Sequence, residues 1–177
     1  DSSGEISCWG AEGLGSDYGE TEPPSGPFVR LAVGNQFGCA MDKDGEITCW
    51  GKDHRGQSSP PAGEFIQISV GDAHGCALDT GGEIICWGFD YEGTVSGAPS
   101  GAFATLRLGH YHNCALDHSG DVHCWGDDTY GQASPTDDDG DGASFFGDCD
   151  DGDDTLELDD LDGDGWSTSP PTPQDIE

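Results

Sequence analysis

Residues 28–51 read FVRLAVGNQFGCAMDKDGEITCWG, and the fold follows from how this stretch alternates and turns. Leu31 and Val33 alternate with small or polar residues before Gly34, which is the period-2 pattern of a strand. A second apolar run, 39–41, is separated from a third, 47–50, by Asp42, Lys43, Asp44, Gly45 and Glu46. A glycine late in so short a loop suits the left-handed position of a three-residue hairpin turn. Centring the hairpin on Asp44 puts Cys39 opposite Cys49 and Met41 opposite Ile47 on one face, with Ala40, Thr48 and Trp50 on the other. Neither face is clearly polar. A sheet with two apolar or small-residue faces needs neighbouring sheets stacked on both sides, as in a propeller.

The same stretch recurs. Residues 65–88 read FIQISVGDAHGCALDTGGEIICWG and residues 103–126 read FATLRLGHYHNCALDHSGDVHCWG. Cys-Trp-Gly occurs at 8–10, 49–51, 86–88 and 124–126, at spacings of 41, 37 and 38 residues. Phe28, Phe65 and Phe103 keep step, as do the turn glycines Gly45, Gly82 and Gly120. Residues 1–10 align with 42–51, so the chain holds three full repeats and the last part of another. About 38 residues suffice for three short strands and their turns.

The hairpin centring also places Cys76 opposite Cys86 and Cys114 opposite Cys124. Directly opposed cysteines at a non-hydrogen-bonded position are close enough to bridge, so three intra-repeat disulfides are expected: Cys39–Cys49, Cys76–Cys86 and Cys114–Cys124. Spacing alone does not fix connectivity, and a Cys-rich metal site is the alternative. Such a site draws on convergent thiols at C-x-x-C spacing, which the chain lacks. Cys8 and Cys149 have no internal partner by this count and are candidates for an intermolecular bond.

Charge and composition narrow the function. The chain of 177 residues has 36 acidic and 5 basic side chains, a formal charge of −31. Nucleic acid as a partner is argued against, since phosphates need Lys and Arg to displace condensed counterions, and so are anionic membrane surfaces. No apolar run approaches the length that spans a bilayer, and membrane insertion is not expected. With 30 glycines and a hydrophobic fraction of 33%, thin, turn-rich layers are expected in place of one large core. Eight cysteines point to an oxidising compartment, hence a secreted, extracellular or cell-surface protein.

The pattern G-x-x-H-x-C-A-L-D-x-x-G-x-I-x-C-W-G, with Gly56-Gln57 and Gly131-Gln132 a few residues after the Cys-Trp-Gly of their repeats, resembles the repeats of the regulator of chromosome condensation family. The likeness covers about residues 1–135 and implies a β-propeller, usually of seven blades, with a period similar to that of compact secreted bacterial members. The family's nucleotide-exchange activity is not expected here, because the acidic charge is wrong for a chromatin partner and no exchange-loop signature stands in the sequence. Seven blades need more than these repeats. The others come either from other copies of the chain, completing one another's blades head to tail as a filament through an unpaired edge strand at the N-terminal end, or from a longer parent chain.

The pattern breaks after Pro135. Residues 136–177 hold 16 acidic and no basic side chains. Asp137, Asp139 and Asp141 before Gly142 have the D-x-D-x-D-G spacing of a calcium loop, with Asp148 at the twelfth position. Asp160, Asp162 and Asp164 before Gly165 repeat the start, but Pro171 stands at the twelfth place, so Asp150, Asp151, Asp153 and Asp154 are the nearest further ligands. The segment resembles the Asp-rich metal-binding modules of bacterial surface proteins and, more loosely, thrombospondin type 3 repeats. Ca²⁺ is the expected ion, since Mg²⁺ prefers fewer carboxylates and more waters.

The sequence therefore predicts an all-β chain: a β-propeller-like array of short antiparallel blades over 1–135, a loop-rich calcium-binding segment over 136–166 and a Ser/Thr/Pro-rich tail over 167–177. His110, His112, His118 and His123 form a weak candidate for a transition metal, but His112 aligns with His74 and Phe37 and reads better as a position of the repeat. Trp9, Trp50, Trp87 and Trp125 likewise share one repeat position and read as blade packing. No nucleophile elbow, phosphate loop or zincin motif is present, so an enzyme is not expected. The expected function is that of a calcium-stabilised structural protein whose partners are other copies of itself. The alternative is a propeller module, part of a longer surface protein, that binds a protein or glycan.

Overall fold

The structure is a computed structural model and describes residues 4–10 and 18–134. Nine strands follow one another: β1 (Phe28–Val33), β2 (Phe37–Asp42), β3 (Ile47–Gly51), β4 (Phe65–Val70), β5 (His74–Asp79), β6 (Ile84–Gly88), β7 (Phe103–Leu108), β8 (His112–Asp117) and β9 (Val122–Gly126). They make three antiparallel sheets in the orders β1-β2-β3, β4-β5-β6 and β7-β8-β9, one per repeat. Among the described residues there is no helix, and so none long and apolar enough to cross a membrane.

The register of the second hairpin in each sheet is the one expected from the turn: Cys39 pairs with Cys49, Cys76 with Cys86 and Cys114 with Cys124. Each pair is bridged, with Cα atoms 4.0, 4.0 and 4.1 Å apart. By the loop-entropy model each bridge contributes about 2–3 kcal/mol. The turns share one device. Asp42 Oδ1 accepts the backbone N–H groups of Asp44 and Glu46 at 2.9 and 3.0 Å, and Asp79 and Asp117 serve their own turns in the same way. Gly45 then closes the turn at φ +85°, where a Cβ would lie 2.6 Å from the Phe65 carbonyl oxygen.

The sheets stack through both faces. Phe37, Cys39 and Met41 meet Phe65, Ile68, Ala77 and Trp87 between the first and second sheets. Cys76, Leu78 and Ile84 meet Phe103, Leu106, Ala115 and Trp125 between the second and third. The first strands β1, β4 and β7 lie side by side. Polar bonds register each blade on the next. The Phe65 N–H donates to the Gly45 carbonyl and the Phe103 N–H to the Gly82 carbonyl, both at 2.9 Å. The Trp87 indole donates to the Gln57 carbonyl at 3.0 Å and the Trp125 indole to the Thr94 carbonyl at 3.1 Å.

Residues 4–10 keep part of this pattern, since the Phe28 N–H donates to the Gly4 carbonyl at 3.0 Å as its counterparts do in the later repeats. Residues 4–10 belong to none of the three sheets among the described residues, as fits an edge segment whose ladder would be completed by another strand. Among the described residues Cys8 has no disulfide partner, and Trp9 is 88% exposed, whereas Trp87 and Trp125 are each 7% exposed.

Candidate functional site

With five basic side chains in a chain of 36 acids, the location of each base is informative. Lys43 is held in a hairpin turn by Asp44 at 2.6 Å. The other four line two concavities. Arg30 and Arg107 belong to an open hollow of about 700 Å³ along the first strands, with Val29, Leu31, Val33 and Ile66. Arg107 Nη1 donates to the Leu106 carbonyl at 2.7 Å and lies 3.1 Å from Thr105 Oγ1. Lys52 and Arg55 line a cleft of about 350 Å³ whose other walls include Asn35, Asp72, Phe89, Tyr91 and Tyr111.

This second cleft is assembled from corresponding corners of the three repeats. Lys52 follows Gly51 at the end of β3 and Phe89 follows Gly88 at the end of β6, so both leave their sheets at the same edge. The Lys52 N–H donates to the Gln36 carbonyl and the Phe89 N–H to the Ala73 carbonyl, each at 2.8 Å, fixing both side chains over the corner that precedes the second strand. Tyr111 occupies that corner in the third repeat, immediately before β8.

Side-chain contacts complete the cleft. Lys52 Nζ donates to Gln36 Oε1 at 2.8 Å and lies 5.2 Å from the centre of the Tyr18 ring. The Arg55 guanidinium stacks 3.6 Å over the centre of Phe89, and the Arg55 N–H donates to Gln57 Oε1 at 2.9 Å. Gln57 is 1% exposed, so the segment carrying Arg55 hangs from a buried side chain. Phe89 lies 6.0 Å from Tyr91, Tyr91 lies 4.7 Å from Tyr111, and His110 packs edge-on to Tyr111 at 4.0 Å. Asn35 Nδ2 donates to Asp72 Oδ1 at 2.8 Å, and His110 Nε2 lies 3.2 Å from the same oxygen.

A buried polar pair joins β5 to β8. His74 is 2% exposed, with Nε2 2.7 Å from Asn113 Oδ1, while Asn113 Nδ2 donates to the Thr94 carbonyl at 2.9 Å. That second bond leaves the Asn113 oxygen facing the ring, so His74 Nε2 carries the proton and donates. Burial pushes the His74 pKa below its ordinary value, against the opposing effect of the Asn113 bond. In the loop after β6, the Ser96 side chain and the backbone N–H groups of Val95 and Ser96 hold Asp90 below the usual carboxylate range.

The three cysteine pairs lie in the blades, and their role is covalent closure of each hairpin. Asp137, Asp139, Asp141, Asp148, Asp150, Asp151, Asp153, Asp154, Asp160, Asp162, Asp164 and Cys149 lie outside the described residues. Among the described residues no group of three or more His, Cys, Asp and Glu side chains is arranged to hold a metal. The histidines have separate neighbours: His110 meets Asp72, and His123 meets Asp117 at 3.1 Å. Sequence reading had not singled out Lys52, Arg55, Phe89, Tyr91 or Tyr111. The available signal was that Lys52 and Arg55 stand one and four residues after a Cys-Trp-Gly in a chain almost without bases.

The family model of the regulator of chromosome condensation (RCC1) repeat matches residues 28–57, 65–94 and 105–132. The three blades are RCC1 repeats. No curated protein matches the chain. Among solved structures, the entire ectodomain of the Physcomitrella patens receptor kinase CR4 is similar at 26% identity and a TM-score of 0.60, over 71% of this chain and 37% of that one. The CRINKLY WD40 ectodomain of the Arabidopsis thaliana receptor kinase ACR4 is similar at 25% identity and a TM-score of 0.58, over 71% of this chain and 45% of that one. The chain thus spans less than half the length of either ectodomain. In this chain the three matched repeats are the three disulfide-stapled sheets.

Proposed function

We propose that the RCC1 blades form part of a non-catalytic, extracellular or cell-surface propeller that binds a protein partner through the cleft of Lys52, Arg55, Phe89, Tyr91 and Tyr111. The observation that carries this reading is the gathering of two of the five bases with three aromatic side chains in one concavity of a chain of charge −31. Aromatic and Arg side chains are the types that anchor protein interfaces. The disulfides and the likeness to receptor ectodomains support the location outside the cell. Affinity capture from extracellular material on the immobilised chain, run beside a Tyr111→Ala column, tests the reading. A partner retained by the native chain and lost from the variant is expected. Equal retention on both columns would sink it.

Two further parts belong to this proposal. The Asp-rich segment 136–166 binds Ca²⁺ through Asp137, Asp139, Asp141 and Asp148 in one loop and Asp160, Asp162 and Asp164 in another, supported by the alternation of carboxylates before glycine. A second reading, in which copies of the chain complete one another's blades, is supported by Cys8, unbridged among the described residues at a position bridged in later repeats, and by the exposed indole of Trp9, whose counterparts Trp87 and Trp125 are buried. Sedimentation in Ca²⁺ and in chelator, with non-reducing electrophoresis, separates the two. A monodisperse monomer in both conditions would eliminate assembly.

A further inference from the structure

We infer that the cleft takes an acidic peptide segment of its partner, seating a carboxylate on Lys52 and Arg55 and an adjacent apolar side chain against Tyr91 and Tyr111; this rests on the binding reading above and names the ligand's chemistry. Lys43 has its own carboxylate, but neither Lys52 nor Arg55 has one within ion-pair distance among the described residues. Arg30 and Arg107 also lack a carboxylate among the described residues, but only Lys52 and Arg55 stand beside a group of aromatic side chains, so this cleft combines unpaired positive charge with apolar rings. Lys52 Nζ makes one bond, to Gln36, and retains donors for another acceptor. Arg55 is exposed and uses the flat face of its guanidinium on Phe89, which leaves the N–H edges available for a carboxylate.

The aromatic geometry selects a peptide over an acidic sugar. A pyranose stacks on a free, flat ring face. Here the Phe89 face is covered by Arg55, the Tyr91 and Tyr111 rings meet at 45°, and His110 stands at 68° to Tyr111. Tilted rings present edges and a corner, which accept an aliphatic or aromatic side chain. Asp72, held by Asn35, also lines the cleft and disfavours a second acid beside it, so a ligand with one carboxylate next to an apolar side chain is preferred over a run of acids.

The full chain is applied to an array of synthetic heptapeptides in which every Asp or Glu sequence has its Asn or Gln counterpart, with oligogalacturonate as the acidic-sugar probe. Binders are then measured by fluorescence anisotropy. Acidic heptapeptides with an apolar neighbour are expected to bind, their amide counterparts at least tenfold more weakly. Arg55→Ala and Lys52→Ala should each weaken binding at least tenfold, while Lys43→Ala should leave it unchanged. Equal binding of amide counterparts, or full retention by Arg55→Ala, overturns the inference and leaves a binding module with a different contact surface. Arg55-dependent preference for oligogalacturonate overturns the choice of a peptide. If the native chain binds no probe, the inference fails, while the binding reading stands or falls with the Tyr111→Ala capture experiment.

Discussion

Position 37 of the first repeat, 74 of the second and 112 of the third hold Phe, His and His at one structural place, and the difference is chemical. Phe37 is buried and asks nothing of its neighbours, whereas buried His74 must donate to Asn113. The ordinary pKa of this imidazole is 6.5, and burial lowers it in the folded chain. The unfolded chain therefore binds the proton more readily, and the stabilisation present above pH 6.5 is lost as pH falls toward the folded value. The urea midpoint should thus drop between pH 7 and pH 5. His74→Phe should reduce that pH-dependent drop while costing about 1–3 kcal/mol at pH 7, because the Asn113 oxygen loses its donor. An unchanged pH dependence in the variant would show that another group is responsible. The tryptophans of the repeated Cys-Trp-Gly divide in the same manner. Trp87→Phe removes a buried donor from the Gln57 carbonyl and should cost about 1–2 kcal/mol, whereas Trp9→Phe, at an 88% exposed position, should leave the midpoint in place.

The hairpin is the element in which sequence and structure agree most closely, and the reason is geometric. Opposed cysteines, a turn-initiating Asp and a late glycine each admit one register, and all three admit the same one in every repeat. The turn glycines nevertheless differ in what surrounds them. Gly45 and Gly120 both have positive φ, +85° and +99°, but a Cβ on Gly45 would meet the backbone of Phe65, while one on Gly120 has nothing within 4 Å. Gly120→Ala should therefore cost only the left-handed penalty of about 1–2 kcal/mol. Gly45→Ala should cost more, because it also forces the second blade away from the first. Equal midpoints for the two variants would mean that the contact between Gly45 and Phe65 adds nothing. Residues 4–10 show the limit of reading by alignment. Their sequence repeats that of a third strand, but a strand is a relation between two segments, and the alignment supplies only one. The cleft was hidden for a related reason: Lys52 and Arg55, Phe89 and Tyr91, and Tyr111 come from three repeats and meet only when the blades stack.

At the scale of the whole molecule, the charge of −31 sets two effects against each other that salt can separate. Like charges on the blades repel, which weakens the compact state, and any electrolyte relieves this by screening. Raising NaCl should therefore raise the urea midpoint of the blades. CaCl₂ at the same ionic strength screens comparably, so an effect of Ca²⁺ beyond NaCl requires ions held at sites. Residues 136–177 contain 16 acids and no base, and each Ca²⁺ bound in their Asp-rich part would cancel two of those charges. Titration calorimetry in a fixed NaCl background should accordingly give a saturable heat for the full chain with a stoichiometry of up to two ions. Asp137→Asn with Asp139→Asn should remove one of them, and Asp160→Asn with Asp162→Asn the other. A featureless dilution heat in the native chain would identify the acidic segment as a solvated polyanion and leave the blades, with their disulfides and inter-blade bonds, as the whole of the ordered function.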